Sequence, residues 1–150
     1  MIELELFGTK LAPQAPRERE IRRLCTLTAA SRGVAAGHVA IEFVDASRIA
    51  DLNERYRGKA GPTDVLSFPI DGVEPLHAGA KAAVEGDVAA APAPQSVPRE
   101  LGDIIICPPL AVDLRAAIVH GMLHLLGMDH ERDDGQMLAL ERELLTGALR

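Results

Sequence analysis

Three histidines, His120, His124 and His130, fall within eleven residues near the C-terminus, in the spacing His-x3-His-x5-His. Residues four apart lie one helical turn apart, so the first two imidazoles project from the same helix face. Gly127 stands where a helix can break and let the backbone swing round, bringing His130 in from a third direction. Three neutral imidazoles leave the fourth position of a tetrahedral zinc open to water, the pattern of a catalytic site rather than a structural one. His120, His124 and His130 are thus the candidate metal ligands, and one Zn2+ is the expected cofactor. A second segment carries Arg55, Arg57 and Lys59 at the end of an expected helix. A solvated helix terminus accounts for such charges, since cations suit that end of the macrodipole. The functional alternative is an arginine that clamps a phosphate opposite the metal, a bidentate task that suits Arg better than Lys.

The histidine spacing also matches that of the metzincin protease motif H-E-x-x-H-x-x-G-x-x-H. Where that motif has its glutamate base, beside the first histidine, this chain has Gly121. A carboxylate there takes the proton from water during peptide hydrolysis, so its absence argues against ordinary zinc peptidase chemistry. Asp129, just before the third histidine, reads equally as a turn residue and as a group orienting an imidazole or a substrate water. His38, at a strand edge, and His77, in a variable loop, are read as incidental.

The chain has 150 residues, 47% hydrophobic and 25% charged, the length and composition of one globular domain with a proper core. Aromatics are 3%, only Phe7, Phe43, Phe68 and Tyr56, so the core is expected to be aliphatic and base stacking is not the main binding device. A net charge of −6 argues against non-specific duplex binding over a broad basic face. Cys25 and Cys107 form no C-x-x-C pair and read as two buried thiols in a reducing compartment. The N-terminus lacks a basic region followed by an apolar run, and no apolar stretch reaches spanning length. A cytoplasmic protein is expected.

Alternation over residues 2–7 predicts a strand, and the periodicity from Arg17 a helix with Ile21, Leu24, Cys25 and Thr28 on one face. Residues 39–44 read as a second strand. Asp45 caps a helix bearing Ile49, Leu52 and Tyr56, stopped by Gly58. Residues 64–69 form a third strand ended by proline. The stretch over about 71–100, rich in Ala, Pro, Gly and Val, reads as a flexible surface insertion with a short helical piece. Residues 102–107 are apolar enough for a central strand, stopped by Pro108 and Pro109. The histidine helix follows. A last helix begins near Asp133, with Gln136 as capping partner and Met137, Leu140, Leu144 and Leu145 on its apolar face.

Taken together, Leu52-Asn53, Tyr56-Arg57-Gly58-Lys59, Pro62-Thr63-Asp64-Val65-Leu66-Ser67-Phe68-Pro69, Leu101-Gly102-Asp103-Ile104 and the block from His120 to Glu131 resemble the YbeY family of bacterial endoribonucleases. The resemblance covers roughly residues 39–70 and 101–147. It implies a single α+β domain over residues 1–150, with a mixed four-stranded β-sheet flanked by helices and a zincin-like metal-bearing helix. It also implies a zinc-dependent, single-strand-specific endoribonuclease acting in 16S rRNA 3′-end maturation and ribosome quality control. His120, His124 and His130 match the family's metal ligands, and Arg57 matches the arginine facing the phosphodiester. Arg57 and His120 are then the candidate catalytic residues. The implied partners are single-stranded RNA, the 16S rRNA precursor, and a ribosome or ribosomal protein that presents it, with neither membrane nor DNA.

Two features depart from the family pattern. One is the alanine- and proline-rich insertion. The other is the short interval, Pro108 to Ala117, where relatives usually carry a further helix. The competing readings are a zinc-dependent peptide or amide hydrolase on the same metal geometry, and a non-catalytic ribosome-associated factor that uses the metal for binding only.

Overall fold

A computed structural model describes residues 2–70 and 99–148, apart from the side chain of Ala148. Nearly all of the expected insertion, its helical piece and His77 lie outside the described residues. Four strands, β1 (Ile2–Phe7), β2 (Gly37–Phe43), β3 (Val65–Pro69) and β4 (Glu100–Ile106), form one sheet in the order β1-β2-β4-β3. β1 and β4 both run parallel to β2, and β3 pairs antiparallel with β4 at the opposite edge. The sheet is therefore mixed and the fold is α+β, as the resemblance implies.

Helices α1 (Glu18–Ser31), α3 (Leu114–Leu125) and α4 (Gln136–Ala148) share one face of the sheet. Ile21, Leu24 and Cys25 of α1, Ile118 and Met122 of α3 and Met137 of α4 close an aliphatic core over Val39, Ile41, Ile104 and Ile106. Helix α2 (Ala46–Arg57) covers the β3–β4 half of the other face, where Ile49 and Leu52 meet Leu66 and Ile105. Tyr56 departs from its expected place on the apolar face of α2. It is 60% exposed and meets Phe68 edge-on at 5.4 Å between ring centroids. Among the described residues no helix is long and apolar enough to cross a membrane.

The helix ends follow their local chemistry. Asp45 accepts from the Arg48 N–H at 2.8 Å, and Asp113 caps α3 by accepting from Arg115 and Ala116. The last helix starts at Gln136, later than expected, because Asp133 accepts from Gly135 and Met137 and Gly135 has φ +96. Gln136 still acts as a cap, accepting from the Asp134 N–H at 2.8 Å. Between Cys107 and α3 the chain makes a single 3-10 turn (Pro108–Leu110), with Leu110 and Val112 exposed to solvent.

Candidate metal centre

Helix α3 is nearly all buried in its second half, and His120 and His124 stand on it one turn apart as their spacing predicts. Past Leu126 the helix stops in a Schellman motif. The Gly127 N–H donates to the His124 carbonyl at 3.1 Å, and the Met128 N–H to the Leu123 carbonyl at 3.0 Å. That closure needs the left-handed backbone of Gly127, at φ +94. The chain then doubles back, and His130 meets the other two rings.

Ring centroids are 4.8 Å apart for His120 and His124, 5.0 Å for His120 and His130, and 5.3 Å for His124 and His130. One nitrogen from each ring lies within 4.8 Å of the others, a set that could hold a metal ion. Two further observations fit a cation. His130 Nδ1 is buried with no hydrogen-bond partner, an arrangement that costs about 1–3 kcal/mol unless something else satisfies it. Burial, and then the neighbouring His120 and His130, hold His124 below the usual imidazole pKa, against a smaller opposing effect of the Met128 backbone and Asp129. A neutral imidazole is the ligating form.

The three rings open on a cleft of about 760 Å³ that also receives Arg57, Lys59, Ser67, Asp64 and Asp129. Arg57 is thus brought to the same cleft as the histidines, on its exposed rim. The loop after α2 that forms this rim is tied down by Asn53, a buried residue whose Nδ2 donates to the Gly61 carbonyl at 2.9 Å. On the opposite side, the Ser67 hydroxyl donates to the Gly121 carbonyl at 3.0 Å and fastens β3 to the histidine helix. Asp129 acts as a turn residue, accepting from the Glu131 N–H at 3.0 Å.

Gly121 has a packing reason beside the chemical one. A Cβ built there would sit 2.7 Å from Ile104 Cγ2, inside the core, and Ile104 is fully buried. A side chain there, a carboxylate base included, would have to displace the buried Ile104 side chain. Glu141 of α4 went unremarked in the sequence, yet it contacts His120 directly: its Oε1 lies 2.8 Å from His120 Nδ1. A glutamate in an acidic helix reads as a solvated charge, and only the packing of α4 against α3 singles it out.

His38 belongs to a different part of the sheet and does not reach the cleft. It stands in β2, an interior strand, with Nδ1 2.8 Å from Glu100 and Nε2 3.1 Å from Glu5. Both cysteines are buried as expected. Desolvation pushes the Cys25 thiol up to about 12 and also raises Cys107.

A mixed sheet with two histidines on one helix and a third on the turn after it defines an α+β protein with a zincin-like candidate metal centre. The family model described as "Endoribonuclease YbeY" matches residues 9–148, and the chain belongs to that family. A protein named endoribonuclease YbeY from Acidothermus cellulolyticus is 39% identical over 122 residues, which cover 72% of this chain and 68% of that protein. Its namesake from Mycobacterium sp. strain KMS is 39% identical over 124 residues, covering 73% of this chain and 63% of its own length. The chain thus spans a little under two thirds of the mycobacterial relative. The solution structure of TM1509 from Thermotoga maritima is 22% identical, with a TM-score of 0.49, covering 97% of this chain and 88% of that one.

Proposed function

We propose that this protein is a zinc-dependent endoribonuclease that cuts single-stranded RNA. The observation that carries this reading is the meeting of three imidazoles and a guanidinium in one cleft. The relatives named as endoribonucleases support the reaction class. The family resemblance supports the finer reading: the 3′ end of the 16S rRNA precursor as target, presented by a ribosome or ribosomal protein in the cytoplasm.

His120, His124 and His130 would hold the ion, and imidazole donors suit zinc among the first-row metals. When bound, zinc supplies Lewis acidity toward a phosphodiester oxygen. The remaining work falls to the chain. Arg57 presents a planar fork of donors that can grip two non-bridging oxygens and stabilise the charge that grows on them in the transition state. Lys59 adds a second cation on the same rim. Asn53 and Ser67 keep the two walls of the cleft in register. Gly121 argues against a peptidase, since that reaction's base is absent there and a side chain in its place would press on the buried Ile104.

The test compares cleavage of a single-stranded RNA with that of casein, with and without chelator, in wild type and His124→Ala. RNA cleavage that disappears with chelator, together with loss of zinc from the variant, is the expected result. Stoichiometric zinc retained by His124→Ala would overturn the site, and casein cleavage in place of RNA cleavage would overturn the reaction class. Product ends on a 16S 3′-precursor then report whether water or the 2′-hydroxyl attacks.

A further inference from the structure

Helix α4 carries no histidine, yet it touches the candidate metal centre through one side chain. Glu141 falls one turn after the buried Met137 and beside Leu140, Leu144 and Leu145, so it stands on the packing face of its helix. A carboxylate there loses hydration and is retained only with a partner. Its partner is His120 Nδ1 at 2.8 Å, with the two side chains only 18% and 21% exposed. Among the described residues Glu141 makes no other hydrogen bond.

An ionised carboxylate accepts hydrogen bonds and cannot donate them, so this contact requires the proton of His120 to be on Nδ1. In a neutral ring the lone pair then lies on Nε2. We infer that Glu141 is a positioning residue, holding His120 as the Nδ1–H tautomer so that Nε2 is the atom offered to the metal. The inference rests on the metal reading of the three histidines given above. It gives α4 a part in the site although α4 contributes no ligand. The ring's orientation is set from a second helix as well as by its own backbone, so less of it must be fixed when the ion binds. Neither His124 nor His130 has a carboxylate within ion-pair distance among the described residues, so this support is particular to His120.

Two measurements on the full chain test this. Long-range proton–nitrogen NMR of metal-free wild type reads the His120 tautomer directly and needs no variant. Competition with a chromophoric chelator reads zinc affinity in wild type, Glu141→Ala, Glu141→Gln and the exposed control Glu143→Ala. The expected results are an Nδ1–H tautomer and a zinc affinity about 10–100-fold weaker in Glu141→Ala, with unchanged helix content. Glu141→Gln, which keeps an acceptor oxygen, recovers part of the loss, and Glu143→Ala binds as wild type does. An Nε2–H tautomer in wild type, or equal zinc affinity in Glu141→Ala, overturns the role of Glu141 and leaves the metal site standing. A wild-type chain that takes up no zinc overturns the metal reading itself and the positioning role with it.

Discussion

Arg57 and the histidines reach the same cleft by different physical routes, and the difference shows in what each substitution should do. The imidazoles are half-buried and held by α3 and its closing turn, whereas Arg57 is exposed and makes no ion pair among the described residues. Under the proposed function, removing its guanidinium deletes a transition-state donor without opening a cavity or orphaning a buried partner. Arg57→Ala should lower kcat about 10²–10³-fold, the usual effect of losing one such donor. Zinc content should not change, and stability should stay within about 0.5 kcal/mol of wild type. Single-turnover cleavage assays beside thermal melts check this. A variant that loses stability in proportion to activity would make Arg57 a structural residue. Arg57→Lys should recover only part of the rate, because an ammonium presents a point charge in place of a two-pronged fork.

Elements place these residues, and they were legible in the sequence to the extent that their rules are local. The cap at Asp45 and the break at Gly127 each follow from side-chain or backbone chemistry within a few residues. The spacing of the histidines needs only the pitch of one helix and its closing turn. Glu141, Asn53 and the Ile104 contact of Gly121 were not legible, because each depends on which distant element packs there. His38 is the clearest case. Its two carboxylates come from β1 and β4, and the β2–β4 register shifts between His38 and Val39, so neighbours in sequence say nothing of the bridge. Burial works against a charge on His38, but hydrogen bonds and charge from Glu100 and Glu5 outweigh it and raise its pKa above 6.5. A histidine whose folded pKa lies above its unfolded value contributes stability that is complete below about 6.5 and fades as pH rises through the folded pKa. The bridge ties three strands, so His38→Gln should melt below wild type at pH 5.5, by up to about 1 kcal/mol for partly exposed pairs. The two melting curves should converge by pH 8. A gap that persists unchanged across that range would assign the effect to packing instead of charge.

Charge over the whole molecule constrains how a polyanion is held. The chain carries −6 overall, and the candidate cleft is itself balanced: Arg57, Lys59 and Arg132 face Asp64, Asp129 and Glu131. A larger cleft of about 840 Å³, between the N-terminal parts of α1 and α3, gathers Arg17, Arg19, Arg22, Arg23 and Arg115 against Glu20. Among the described residues it holds no histidine or cysteine and so offers none of the ligands of the candidate metal centre. Long-range attraction is weak for such a protein, and the proposed function then calls for RNA recognised at short range or delivered by a partner. Each phosphate neutralised on a single strand steepens the dependence of log affinity on log salt by about 0.7. A strand held by the three cations of the candidate cleft alone should then bind with a slope of about −2, read by titrating a short single-stranded RNA into the zinc-loaded protein between 50 and 200 mM salt, about the range over which such slopes are measured. A slope steepening toward about −6 would mean that the five arginines of the second cleft also take phosphates. In that event Arg17→Ala together with Arg19→Ala should flatten the slope while leaving the zinc site loaded.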